Sequence, residues 1–461
     1  MNNRRDFLKL TSIAGAGLLA GCATRNASAG TGIKMHNRNY TQKFNMSGYA
    51  APKLQTVRVG FIGVGNRGTS AVTRMSKIEG VEIKAICDLR PEKAQAAKRN
   101  IANTPHTPDL YTGGENEWKK MCERNDIDLV YIATPWNLHT PMAVFSMEHD
   151  KHAAVEVPAA ETLEECWQLV ETSEKTKKHC MMLENCCYDF FELLTLNMAR
   201  QGFFGEIVHA EGAYLHDLLD ENFSKTQYQG MWRLKDNYKS GNLYPTHGLG
   251  PVAQAMDINR GDKMDYLVSV SSNDFMMAAK ANELAAKDDF YKEFAGKSFR
   301  GNMNVTTIRT SKGKTIMIQH DVTSPRPYSR LHTISGTKAI AQKYPLPARI
   351  ATNHLNWVTP EEMKVLEEKY QPAIVKKIGE MAKKVGGHGG MDFMMDWRLI
   401  DCLRNGLPLD MDVYDAATWS SIKPLSEISV ANRSNSIDVP DFTGGSWKTN
   451  KQVDLTLSHL K

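Results

Sequence analysis

The chain has 461 residues, a formal net charge of +5, 41% hydrophobic residues and 24% charged residues. That balance is ordinary for a globular protein, and the length suits two or three domains. Lys and Arg form no stripe interleaved with aromatics, so no nucleic-acid partner is expected, and past residue 30 no apolar run approaches the ~20 residues that span a bilayer.

The first 22 residues form a separate unit. Arg4-Arg5-Asp6-Phe7-Leu8-Lys9 is a twin-arginine export pattern, and the uncharged stretch from Leu10 to Ala20 supplies an apolar core. Leu19-Ala20-Gly21-Cys22 resembles the lipobox of bacterial lipoproteins. Cleavage before Cys22 and lipidation of its thiol are expected, placing the protein on the periplasmic side as a membrane lipoprotein. The lipid tethers it without spanning the membrane. Residues 23–55, rich in Ser, Asn, Gly, Thr and Lys, read as a flexible tether. The other seven cysteines are odd in number and contain no CxxC pair, so no disulfide framework is signalled. Cys87, Cys166 and Cys180 read as small core residues.

Val57–Gly63 is an apolar run ending in glycine, hence a buried strand, and a helical pattern follows from Thr69 to about Lys77. Val81–Cys87 is the next strand, closed by Asp88, and Pro91 to Ile101 is helical with proline in its first turn. Ile127–Ala133 and His152–Val157 are further strands separated by a helix near Pro141. This alternation predicts a doubly wound parallel sheet, an α/β Rossmann domain over 56–180.

After about residue 185 the texture changes. Ile207–Tyr214, Tyr266–Ser271, Met303–Thr310 and Thr315–Val322 read as strands, with Ser311-Lys312-Gly313-Lys314 as a hairpin turn. An α+β domain with a large, mainly antiparallel sheet is expected over 181–440. Residues 359–385 read as one charged amphipathic helix and 390–405 as another. Residues 406–461 read as wrapping loops, with a tail at 441–461.

Gly63-x-Gly65-x-x-Gly68, set between a strand and a helix and followed by Asp88 at the end of the next strand, is a dinucleotide fingerprint. Its glycines permit a tight turn and close approach of the backbone to a pyrophosphate at the helix N-terminus. Asp88 would accept hydrogen bonds from the ribose hydroxyls and repel a 2′-phosphate, which favours NAD. Trp136 and His139 follow a strand end and are placed to flank the nicotinamide ribose. Glu156 ends the next strand and suits cofactor ribose or substrate. In the second domain Tyr244-Pro245-Thr246-His247 reads as a loop entering a helix, with two groups suited to proton transfer. Tyr328 follows a rigid Pro325-Arg326-Pro327 turn. Tyr214 and the pair Trp232-Arg233 suit sugar contacts, and His388 in a glycine-rich loop has no assigned role.

The Rossmann start, Glu156-Val157-Pro158 and the following α+β domain resemble the relatives of glucose-fructose oxidoreductase and inositol dehydrogenase. In that superfamily a lysine usually stands where this chain has Val157, and an aspartate where it has Leu243, four residues before His247. Gly63-Val64-Gly65-Asn66-Arg67-Gly68, Trp136-Asn137-Leu138-His139, Glu156-Val157-Pro158, Tyr244-Pro245-Thr246-His247 and the twin-arginine start resemble one branch, glycoside hydrolase family 109. Its members are NAD-dependent α-N-acetylgalactosaminidases.

The resemblance implies NAD contacts at Asn66, Arg67, Asp88, Trp136, Asn137, Leu138, His139, Glu156, Val157 and Asn185. It implies substrate contacts at Tyr214, Arg233, Tyr244, Pro245, Thr246, His247 and Tyr328. The implied chemistry is redox-neutral: oxidation at C3, loss of the C2 proton, elimination at C1, addition of water and reduction at C3. His247 is expected to take the C3 hydroxyl proton, and Tyr328 or Tyr244 to handle C2. The glycan substrate would carry terminal N-acetylgalactosamine, no metal is implied, and a homo-oligomer is left open. An exported sugar dehydrogenase is the competing reading, and a non-catalytic sugar-binding lipoprotein a third; the former would stall without free NAD to exchange, and the latter would not need the glycine fingerprint.

Overall fold

The computed structural model describes residues 38, 40–228 and 231–460. Six strands form the first sheet: β1 (Val57–Ile62), β2 (Val81–Asp88), β3 (Asp109–Thr112), β4 (Leu129–Ile132), β5 (His152–Val155) and β6 (Cys180–Met182). Their order is β3-β2-β1-β4-β5-β6, and every pairing is parallel. The expected doubly wound sheet is therefore present. The strand order reverses between β1 and β4, the switch point at whose carboxyl strand ends doubly wound sheets bind their ligands. Helix α1 (Asn66–Met75) follows β1 directly, three residues earlier than the apolar pattern suggested, because glycine rather than a capping side chain starts it. Helix α2 (Leu163–Thr176) begins with a full Thr162/Glu165 capping box.

The second sheet has eight strands: β7 (Ile207–Leu215), β8 (Met264–Ser271), β9 (Asn304–Thr310), β10 (Thr315–Asp321), β11 (Thr333–Gly336), β12 (Ile340–Gln342), β13 (Arg349–Ala351) and β14 (Ile437–Asp438). The order is β13-β12-β11-β7-β10-β9-β8-β14; only β7 and β10 run parallel. Gly313, at φ +82°, turns the β9–β10 hairpin at the expected place. Helix α3 (Thr246–Ala255) lies on β7. A Cβ on Gly248 would stand 2.2 Å from the Ala213 nitrogen, so the helix touches the strand backbone. This contact sets the first turn of α3, with His247, beside Tyr214.

Three expectations fail here. The single helix over 359–385 is two, Pro360–Tyr370 and Ala373–Val385, because Pro372 has no N–H to continue the first. Residues 406–461 are not simply loops: after α4 (Met391–Asn405), α5 (Val413–Ala431) runs for 19 residues against α2, β6 and β8. It is buried nearly all round, so its sequence has no polar face to mark it as a helix. The tail also packs, through Phe442 and Leu457. The tether reading of 23–55 fails from residue 40 onward. Tyr40 stacks on Trp167 at 4.6 Å, Met46 is 2% exposed, and the Met46 N–H donates to the Tyr414 hydroxyl at 3.2 Å. A few apolar anchors spaced through polar residues hold this strap, and composition averages them away. Among the described residues no helix is long and apolar enough to cross a membrane. The seven described cysteines are free and buried.

Candidate active site

The glycine loop leaves β1 with Gly63 at φ +81°, where a Cβ would stand 2.8 Å from the Ala133 carbonyl oxygen. Gly65 caps α1 without a side-chain hydrogen bond, and no acidic residue occupies the first turn. A Cβ on Gly65 would meet nothing nearer than Arg90 at 3.5 Å, so the loop is open on that side. Unclaimed N–H groups at a positive helix end form a cradle for a pyrophosphate. Asp88, at the tip of β2, accepts from the Val64 N–H at 2.9 Å and from Arg90 at 2.9 and 3.0 Å. Oδ1 already takes two bonds from Arg90, whereas Oδ2 takes Val64 and only a 3.4 Å contact from Arg90, so Oδ2 is the oxygen with capacity for a ribose hydroxyl. These residues fit NAD. Asp88→Ala is expected to weaken retention by about 1.5–3 kcal/mol, roughly 10- to 100-fold in Kd. Nicotinamide released from denatured protein measures it; undiminished content would contradict the assignment.

Arg67 on α1 reaches across the crevice. It donates to Glu156 at 3.2 Å and to Asp392 at 3.2 Å. Asp392 also accepts from Asn185 at 2.6 Å, lies 2.9 Å from His388 Nδ1 and sits 3.5 Å from Arg74. Burial would raise its pKa, but the His388 hydrogen bond and the charges of Arg67 and Arg74 outweigh burial and hold it well below the carboxylate range. Asp392 thus joins Arg67, Glu156 and Asn185 into one network and gives His388 a structural place. Nothing in the sequence marked Asp392 beyond its position four residues after His388.

Trp136 is buried, half-buried Leu138 and exposed Asn137 follow it on the same short turn, and Val157 is buried beside Glu156. The Trp136 ring lies 5.4 Å from Tyr244 at 20°, and 5.2 Å from Trp232. The Arg233 guanidinium stands 5.1 Å from Trp136 and 5.3 Å from Tyr244, so the cofactor loop and the second domain share one aromatic stack. His139 turns inward instead: its ring nitrogens lie 2.7 Å from the Pro158 oxygen and 2.8 Å from the Thr134 oxygen. Its imidazole braces two loops.

Around His247 the rings of Tyr244 and Tyr214 lie at 4.9 and 5.4 Å, and Tyr328 lies 6.2 Å from Tyr214. Pro245 is buried at the start of α3. Thr246 is 0% exposed and so faces away from the cleft, beside Glu184. Two neighbours escaped the sequence reading. His216 Nδ1 lies 3.1 Å from the Tyr214 hydroxyl, its ring 5.1 Å from Tyr328. Glu184, fully buried, places Oε1 2.7 Å from His247 Nδ1. Glu184, Cys186 and His247 set donor atoms within 4.8 Å of one another. The close Nδ1–Oε1 contact engages two of them with each other, and burial pushes the Cys186 thiol far up, so the cluster is a hydrogen-bonded pair beside an inert thiol. Burial also raises the phenol pKa of Tyr214, Tyr244 and Tyr328. Burial thus favours the protonated phenol before substrate binds, most at Tyr214 and Tyr244, while Tyr328 is 38% exposed.

The Tyr328 segment is held by a buried ion network. Arg330 donates to Asp189 and Glu192, each at 2.6 Å, and Lys343 donates to Glu192 at 2.9 Å. Burial alone would raise the Glu192 pKa, but Arg330 and Lys343 bring it down from 4.5 to about 2. The depressed value contributes stability that is full above the ordinary range and lost as pH falls through about 2. Glu192→Gln leaves Arg330 and Lys343 sharing Asp189 alone, a loss of up to about 3–5 kcal/mol at neutral pH. Its Tm deficit is expected to shrink below about pH 4. A deficit that stays constant into acid would contradict the ion network as its source.

Residues 188–449 match the family model described as glycosyl hydrolase 109, C-terminal domain, and residues 57–184 match the oxidoreductase family, NAD-binding Rossmann fold. An α-N-acetylgalactosaminidase of Bacteroides fragilis is 53% identical over 409 residues, covering 87% of this chain and 95% of the relative. A glycosyl hydrolase family 109 protein of Porphyromonas gingivalis is 52% identical over 418 residues, 86% of each chain. Among solved structures, levoglucosan dehydrogenase in complex with NADH and levoglucosan superposes with a TM-score of 0.64 at 19% identity, over 84% of this chain and 100% of that one. Scyllo-inositol dehydrogenase from Lactobacillus casei, with NAD(H) and scyllo-inositol, gives 0.59 at 13% identity, over 83% and 99%. At these identities the solved structures share the fold alone.

Proposed function

Because the chain belongs to glycosyl hydrolase family 109, we propose that it is an NAD-dependent α-N-acetylgalactosaminidase acting on glycans with terminal N-acetylgalactosamine. The observation that carries the reading is the meeting of two halves. A dinucleotide cradle at the switch point faces a half-buried imidazole ringed by protonated phenols, with valine at 157 where a dehydrogenase of this superfamily keeps its lysine. The glycine loop and α1 would hold the pyrophosphate and Asp88 the adenosine ribose. Trp136, Asn137, Glu156 and Asn185 would border the nicotinamide end. Bound NAD supplies a reversible hydride acceptor, so the sugar can be oxidised and reduced again at C3 within one turnover and the net change is hydrolysis.

The protein's own groups move the protons. His247 accepts the C3 hydroxyl proton. Tyr214, Tyr244 and Tyr328 donate hydrogen bonds to sugar oxygens, which suits their raised pKa values. Arg233 donates from Nη1 to the Tyr228 hydroxyl and lies beside the Tyr214 hydroxyl, where its charge can meet a substrate oxygen. Purified protein should release the aglycone of a chromogenic α-N-acetylgalactosaminide over many turnovers with no NAD added. Arrest after one turnover with NADH accumulating would favour a dehydrogenase.

The same proposal covers location. The twin-arginine segment and Cys22 lie outside the described residues, and the motifs alone support export and lipid anchoring. Cys22→Ser is expected to give a soluble exported protein of unchanged specific activity, read by fractionating cells. A variant that stays with the membrane would remove the lipobox assignment.

A further inference from the structure

We infer that Glu184 is the positioning residue for His247, joined to it across the boundary between the two domains. The wider superfamily keeps an acid four residues before its histidine, whereas here that position is Leu243, packed in the core at 2% exposure. The structure brings a carboxylate from elsewhere. Glu184 sits just after β6, at the end of the Rossmann sheet, and His247 lies in the first turn of α3 on the other sheet. Their contact is 2.7 Å.

Three further observations show a built arrangement. The Cys186 N–H donates to the same Glu184 oxygen at 3.1 Å, which fixes the carboxylate on its turn. A Cβ on Gly250 would stand 2.9 Å from Glu184 Cγ, so α3 admits the side chain only because that position has none. Glu184 is 0% exposed and its carboxylate lies beside the Thr246 hydroxyl. Removing a partner from a buried carboxylate costs stability. Burial would keep this one protonated, but the His247 interaction and the neighbouring Thr246 overcome it and lower its pKa, so it is ionised and can only accept.

An accepting Glu184 requires the proton of neutral His247 on Nδ1 and leaves Nε2 bare, the tautomer that takes a proton from a hydroxyl. The ring cannot rotate away without abandoning the buried charge. Because the two partners come from different domains, the base is oriented only when the domain holding the cofactor and the domain holding the sugar are seated together.

The inference rests on His247 as proton acceptor, so the experiment separates the two. Purified wild type, Glu184→Gln, His247→Ala and the double variant are assayed on a chromogenic α-N-acetylgalactosaminide, each with its bound NAD quantified. Glu184→Gln is expected to lower kcat by roughly 10²-fold or more with KM little changed. The same change made in His247→Ala should cost almost nothing, because its route of action is already gone. Equal losses in both backgrounds would overturn the positioning role and leave a structural one. Wild type inactive on the galactosaminide would instead overturn the glycosidase reading. If Glu184→Gln fails to fold or loses NAD, the wild type decides by nitrogen NMR of labelled histidine, with the His247 signals identified by their loss in His247→Ala. Protonated Nδ1 and bare Nε2 support the inference, and the opposite tautomer refutes it.

Discussion

His247→Ala is expected to lower kcat by about 10²–10⁴-fold, the usual worth of a positioned general base, while NAD content stays close to wild type. The magnitude follows from what else is within reach. The phenols around the ring are held protonated by burial, and Glu184 is fully enclosed behind the imidazole. His216, the nearby imidazole, is engaged with the Tyr214 hydroxyl at 3.1 Å. The substitution leaves the α3–β7 contact at Gly248 untouched but removes the partner of the buried Glu184 carboxylate, so some loss of stability accompanies the loss of rate. Kinetics in both parameters check the assignment. A raised KM with kcat nearly unchanged would make His247 a binding residue and remove the proton-transfer role.

Gly68→Ala is expected to strip the protein of its cofactor. A Cβ there would stand 1.9 Å from the Gly63 carbonyl oxygen and 2.9 Å from its carbon. Both are backbone atoms, so no rotamer change relieves the clash and α1 must back away from β1. Such overpacking costs about 1–3 kcal/mol in stability. The larger consequence is local, because the first turn of α1 carries the N–H groups that would hold the pyrophosphate. Bound NAD per protein should fall about tenfold or more, with activity falling in step, and saturating NAD should restore part of the rate. Full NAD content with lost activity would mean that the glycine serves packing and that the nucleotide sits elsewhere.

How much of this was legible in the sequence depends on where the information lies. The Rossmann domain could be read because the glycine fingerprint, the strand before it and Asp88 after it lie in one continuous stretch with a fixed physical logic. The hairpin at Gly313 could be read for the same reason. Helix α5 could not, since a helix buried on nearly every side has no amphipathic period and resembles any other mixed segment. The strap at residues 40–55 was hidden by its polar composition, although Met46 is a core residue and Tyr40 packs against the core.

In the site, residues carried by short motifs were visible, while their partners were not. Glu184 is one acid after a strand, 63 positions from the imidazole it meets. Asp392 is 325 positions from Arg67. Such pairings exist only once the second domain has folded against the first. The inward turn of His139 was equally out of reach, because its two carbonyl partners are set by loop geometry. The raised phenol pKa values are also a property of burial, which residue type alone does not show.

The central claim is that the C–H bond at sugar C3 is broken in every turnover of a net hydrolysis. The most direct measurement is single-turnover hydrolysis of an aryl α-N-acetylgalactosaminide carrying deuterium at C3, with enzyme in excess and an aryl leaving group good enough that bond breaking at C3 limits the rate. The account predicts clearly slower release of the aryl group from the deuterated substrate than from the protiated one, with the isotope recovered at C3 of the product. Equal single-turnover rates for the two substrates would contradict it and would require a hydrolysis that never touches C3.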